Sequence, residues 1–120
     1  MARVNVPVTK LVSGAITAQP AGTTADATED HVLTVDFPLE ELLLHVTQTN
    51  ATARVLTIKA GDSPPALSAG LGDITQSIAQ NAVYVVGGLE SARFLRNDGT
   101  LHIDLAESFA GTIRAYRVPR

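Results

Sequence analysis

Ser91-Ala92-Arg93-Phe94-Leu95-Arg96-Asn97-Asp98-Gly99-Thr100-Leu101-His102-Ile103-Asp104 reads as one β-hairpin. Asp98-Gly99 supplies the two positive-φ positions of a tight type I′ turn. With those two residues as the loop, Phe94 faces Ile103 and Ala92 faces Leu105 on one side, while Arg93 faces Asp104 and Leu95 faces His102 on the other. One face is then apolar and the opposite face pairs unlike charges. Residue chemistry of this kind stabilises a sheet, and it predicts an all-β protein with Phe94 buried beside Ile103.

Working outward, the same two-residue period recurs. His31 to Phe37 alternates, with Leu33, Val35 and Phe37 on one face, and Pro38 ends it. Leu42 to Thr49 is apolar enough on both faces for a central strand. Asn50 turns the chain into Ala53 to Ala60, so residues 42–60 read as a second hairpin. Asp73 to Ala79 and Ala82 to Val86 are two short strands, although Ile74 and Ile78 at i, i+4 also permit one helical turn. Thr112 to Val118 is a last strand stopped by Pro119, and Lys10 to Ala18 is a further short candidate.

Between these runs, Gln19 to Asp30 is a small, polar loop of a kind that rarely packs, where partner contact should concentrate. Gly61 to Ala66, with Pro64-Pro65, is a second loop. About eight strands at 8 to 12 residue spacing predict a small antiparallel β-sandwich or jelly-roll-like barrel over residues 11–120. Residues 1–10 read differently. Val4, Val6 and Val8 alternate, but Pro7 lacks an amide hydrogen, which predicts an extended N-terminal arm that orders against a neighbour rather than in the chain's own core.

The 120 residues make a single domain, with hydrophobic residues at 45% and charged residues at 18%, a surface less charged than usual. A net charge of −3 provides no positive field to attract nucleic acid or anionic lipid. Aromatics are limited to Phe37, Tyr84, Phe94, Phe109 and Tyr116, with no Trp, a poor set for stacking nucleic-acid bases or sugars. There is no cysteine, hence no disulfide framework or thiolate metal site. No run approaches the ~18 apolar residues of a membrane span, and the N-terminus predicts no Sec-type export signal.

His31, His45 and His102 fall on separate predicted strands, so no metal site is expected. There is no Gly-x-Ser-x-Gly elbow and no phosphate-loop lysine motif, and Gly70-Leu71-Gly72-Asp73 is too short for a dinucleotide fingerprint. Glu29-Asp30 and Glu40-Glu41 are sequence neighbours of the kind that mark solvated loops rather than an acid/base couple. The expectation is a non-enzymatic protein without cofactor. Charge is nevertheless uneven. Asp26, Glu29, Asp30, Asp36, Glu40 and Glu41 occur with no basic residue among them, while Arg93, Arg96, Arg114, Arg117 and Arg120 lie in the last thirty residues. Complementary patches could dock copies of the chain together or onto a partner, and the candidate interface is Val4, Val6, Pro7, Val8, Asp26, Glu29, Asp30, Glu40, Glu41, Arg114, Arg117 and Arg120.

From Asn50 onward, above all across Ala60 to Ala66, Gly72-Asp73-Ile74, Leu89 to Phe94, Asp98-Gly99, Ile103-Asp104 and Gly111-Thr112-Ile113, the chain resembles small β-rich virion proteins of tailed bacteriophages, in particular the head decoration, or cement, class. The resemblance implies a protein bound in many copies to the outer capsid surface, with the major capsid protein as partner. It further implies a homo-oligomer, a trimer at local three-fold positions, that stiffens the shell by bridging capsomers. Another virion component, such as a head–tail connector or tail protein, and a carbohydrate- or cell-surface-binding module are the alternative expectations.

Overall fold

The computed structural model describes residues 3–61, 72–87, 89–96 and 98–118. The fold is all-β, two mixed five-stranded sheets packed as a small sandwich. The first sheet has the order β1 (Val4–Asn5), β4 (His31–Thr34), β9 (Thr100–Leu105), β6 (Arg54–Ile58), β7 (Ile74–Ile78). The second runs β2 (Val8–Lys10), β10 (Gly111–Arg117), β5 (Leu42–Gln48), β8 (Val83–Gly87), and β3 (Thr23–Thr24) also pairs with β10. Most of the proline tract at 61–66, residues 62–66, and Arg120 lie outside the described residues.

Alternation builds the core. Leu42, Leu44 and Val46 of β5, Ile113 and Ala115 of β10, and Leu101, Ile103 and Leu105 of β9 all point between the sheets and are buried. The one polar inward residue of β5 is Gln48, which is fully buried. Its Nε2 donates to the carbonyls of Ile78 (3.0 Å) and Thr52 (3.2 Å), and its Oε1 accepts the Asn50 amide. Its backbone meets the turn before β8, accepting from Asn81 N–H (2.6 Å) and donating to the Ala82 carbonyl (3.3 Å). This single residue therefore ties β5 of one sheet to β7 of the other.

The two predicted hairpins do not form. After β5 the chain crosses to the other sheet, so β5 pairs with β10 and β8 while β6 pairs with β7 and β9. Periodicity marks which residues face inward but not which sheet they face inward from. At residues 91–104 the expected type I′ turn is replaced by one in which, of Asp98 and Gly99, only Gly99 takes positive φ (+80), but a turn is present, with Gly99 N–H donating to the Arg96 carbonyl (3.0 Å) and Arg96 N–H to the Thr100 carbonyl (2.9 Å). The strand before it is not. Both edges of β9 are taken, His31↔Ile103 by β4 and Ile58↔Ile103 by β6, and Ser91–Phe94 instead forms one helical turn, α1.

That turn still delivers Phe94 to the core, where it is 2% exposed. Arg93 is displaced from its expected partner: its Nε donates to the Gly72 carbonyl (3.0 Å), and Asp104 is paired with Arg3 (2.5 Å). Gly61 docks directly beneath α1, donating to the Arg93 carbonyl at 2.8 Å. A Cβ there would lie 2.1 Å from the Leu95 carbonyl oxygen, so only glycine permits the approach.

The N-terminal segment is extended, as expected, but it is not an arm separate from the core. Val4–Asn5 runs parallel to β4, Val8–Lys10 runs parallel to β10, and between them Val6 is 1% exposed. The chain switches sheets at Val6-Pro7, a bend that accommodates the missing proline amide. His31 secures this segment from inside. The fully buried ring donates from Nδ1 to the Val4 carbonyl (3.2 Å) and accepts the Asp26 amide at Nε2 (3.0 Å), which assigns the neutral Nδ1–H tautomer. The expectation of a loosely packed 19–30 loop is corrected for the same reason. Its β3 pairs with β10, Ala25 and Ala27 pack on the core, and Asp26 meets His31.

Three outcomes follow from this packing. Phe94→Ala should cost ~3 to 5 kcal/mol in urea melts, and Gln48→Leu, despite its added apolar area, ~1 to 3 kcal/mol because two carbonyls and an amide lose their partner. Deleting residues 3–9 should lower the thermal midpoint of the isolated chain sharply, since it removes Val6 and strands from both sheets.

The pH dependence follows from His31. Burial holds its pKa below the ordinary value near 6.5, outweighing the opposing hydrogen bond to the Val4 carbonyl and the nearby Asp26 and Asp30 carboxylates. The unfolded chain thus takes up a proton that the fold refuses. His31 stabilisation should be complete above about pH 6.5 and decline as the pH falls below it, with His102, lowered chiefly by burial, adding in the same direction. Urea midpoints at pH 7.5 and 5.5 measure this, and His31→Asn should flatten the difference while lowering stability at pH 7.5.

Candidate functional site

The outer faces of the two sheets differ in chemistry. On the first, β6, β7 and β9 present Val55, which is 39% exposed, among Thr57, Thr75, Ser77, His102 and Asp104, the last paired with Arg3. On the second, β8 and β5 present Val83, Val85, Leu43 and His45, with Tyr116 of β10 alongside. Val83 and Val85 are 58% and 57% exposed, and the His45 ring stands edge-on to Tyr116 at 5.4 Å. The same face carries Thr47, Thr112 and Arg114, so its most exposed apolar residues are the two valines of β8.

Beside it lies the connection from β2 to β3. Sequence analysis expects a strand over 10–18, but only its first residue is in one. Residues 11–22 form a loop whose tip turns at 12–15, where Ala15 N–H donates to the Val12 carbonyl (3.1 Å) and Gly14 takes φ +77. Val12 is 59% exposed and Ile16 is entirely so. The loop base is held by Arg114, whose Nε donates to the Pro20 carbonyl (2.8 Å) and whose guanidinium also reaches the Ala21 carbonyl (3.2 Å). Leu11 N–H donates to the Arg117 carbonyl (2.9 Å) at the other end. Two apolar side chains are thus carried into solvent from a clamped base.

A cleft of about 510 Å³ opens where the sheets part at β2, lined by Val8, Lys10, Thr34, Asp36, Phe37 and Arg117. The Arg117 guanidinium lies over the Phe37 ring at 4.9 Å and its Nε donates to Glu41 Oε1 at 3.0 Å. One member of each expected charge patch is therefore joined to the other within the chain. Glu40 takes the Ser91 amide (3.2 Å) and hydroxyl (2.9 Å). Asp30 accepts the Leu105 amide (2.8 Å), and Asp26 Oδ1 accepts the amides of Thr28 and Glu29 (both 3.0 Å). Of the candidate interface, Val6 is core and Val4 and Val8 are half-buried strand residues, leaving Pro7 exposed at the bend. The histidines stay apart: His31 is inside, His45 and His102 on the outer faces of different sheets. Among the described residues no group of three or more His, Asp or Glu is placed to hold a metal ion.

No protein-family model, curated protein or solved structure matches the chain.

Sequence reasoning missed the apolar loop tip and the exposed valines, although a signal for both is present. The two longest uncharged runs are Ile74 to Leu89 and Leu11 to Ala25, and they contain these surfaces. Arg114→Ala should release the loop base. The expected loss is ~1.5 to 3 kcal/mol, the range for hydrogen bonds made by a charged donor, with faster amide exchange confined to residues 11–24 in hydrogen–deuterium exchange.

Proposed function

We propose that this chain is a structural protein of a tailed-bacteriophage virion that binds the outer surface of the capsid, with the major capsid protein as its partner. The observation that carries the reading is the clamped loop 11–22, which presents Val12 and Ile16 to solvent from a base fixed by Arg114. An apolar anchor held in water by a rigid scaffold costs little entropy to dock, and seating it in a groove removes its area from solvent. The resemblance of residues from Asn50 onward to head decoration proteins supports the same assignment. The mechanism is additive. Each copy buries ~800 Å² on its partner side, and particle symmetry repeats that modest contact until capsomers are bridged against outward pressure from packaged DNA.

Particles produced by the genome encoding the chain supply the test. Quantitative mass spectrometry should find hundreds of copies per particle, whereas about a dozen would assign a connector or tail position and none would overturn the reading. Replacing Val12 and Ile16 together by Ser should weaken attachment at least tenfold, because each buried aliphatic side chain contributes ~1.5 to 3 kcal/mol. The melting of the free chain should not change, since both side chains are already in water.

A further inference from the structure

The second sheet ends in a strand that nothing among the described residues covers. β8 pairs with β5 in the register Leu43↔Gly87 to Thr47↔Val83, and one step beyond, Gln48 N–H donates to the Ala82 carbonyl. In an antiparallel ladder, bonded pairs alternate with non-bonded ones. If Ala82 is bonded to Gln48, then Tyr84 and Val86 are bonded to Val46 and Leu44. The backbone groups of Val83, Val85 and Gly87 therefore point away from the sheet, along an open edge. The side chains of Val83 and Val85 are the same ones that stand exposed on the outer face.

Natural edges carry devices that block pairing. The other edges here have them. Pro7 and Lys10 flank β2, Arg3 precedes β1, and β7 is polar through Thr75, Gln76 and Ser77 and begins beside the Lys59–Asp73 ion pair. β8 has none, since Ala82 to Gly87 contains neither a charged residue nor a proline.

We propose that the β8 edge binds β8 of a second copy, antiparallel about a two-fold axis at Val85, to make one continuous sheet. The strand is self-complementary in that register. Val85 faces Val85 of the second copy, and Val83 faces its Gly87, so every outward amide and carbonyl of the three residues gains a partner. Gly87 leaves room for this, and a Cβ there would already sit 3.3 Å from Leu43 Cδ1. Val83 of the second copy fills that place against Leu43. Two chains of net charge −3 meet through an uncharged stretch, which keeps their repulsion small. Contact of this kind is isologous and closes at two copies, in contrast to the three-fold cluster that the resemblance implies. It does not depend on the capsid reading.

Sedimentation velocity of the purified chain, without particles, across about 5 to 500 µM in 0.15 M salt tests it. The expected result is a reversible shift to twice the 12.6 kDa chain mass. Val85→Lys, which places two ammonium groups at the axis, should stay monomeric with an unchanged thermal midpoint. Because the chain has no cysteine, Val85→Cys provides a second readout that does not rely on Val85→Lys folding. A short bis-maleimide should couple it into a dimer, while Ser77→Cys on the other sheet should not couple. A monomer at every concentration, a trimer mass, or a dimer that survives Val85→Lys with equal coupling at both cysteines would overturn the proposal.

Discussion

The buried amide of Gln48 is the point on which the arrangement of strands turns. A carboxamide between two apolar sheets is stable only if its donors and acceptor are used, and the partners it finds are the Ile78 carbonyl in the opposite sheet and the 50–52 turn. Those bonds form where the chain leaving β5 passes across the sandwich, and the backbone of Gln48 meets Asn81 and Ala82 where the 79–82 turn brings β8 back beside β5.

The opposite end is closed by residues 3–10. Their change of sheet at Val6-Pro7 puts a strand on the margin of each layer, and the neutral imidazole of His31 joins that strand to the 26–30 turn from within. One end of the sandwich is thus held by an amide that does not titrate, the other by a ring that does. The loss of stability expected in mild acid is accordingly centred on His31 at the N-terminal closure, where Arg3 and Asp104 also meet.

Charge and apolar surface divide the work. Most described acidic residues of the 26–41 region are spent on turns, backbone amides, Ser91 and Arg117, which leaves little of the expected complementary patches for docking. What remains open is apolar: the loop tip at Val12 and Ile16, and the valines of β8 on the adjoining sheet. These two open surfaces are separate in sequence and differ in form. One is a pair of side chains on a clamped loop; the other is a backbone edge.

Composition and two-residue alternation by themselves determined the all-β class, the inward-facing Leu33 and Val35 of the 31–37 run, Ile103 and Leu105 of β9, and the burial of Phe94. Alternation is a property of each strand and is written locally. Pairing is not. Leu42 to Gln48 would alternate identically beside β6 or beside β8, and only the partners available to Gln48 separate those arrangements. The 91–94 segment could extend or coil, and it coils because β4 and β6 already occupy both edges of β9. Val6 looked like part of a free arm because nothing nearby in sequence covers it; strands from residues 31 and 111 onward do. The exposed apolar surfaces were legible only as uncharged runs, since a local pattern cannot tell an aliphatic side chain that is covered from one that is left in water. That distinction belongs to the tertiary structure, where the number of neighbouring strands decides which valines are core and which are contact.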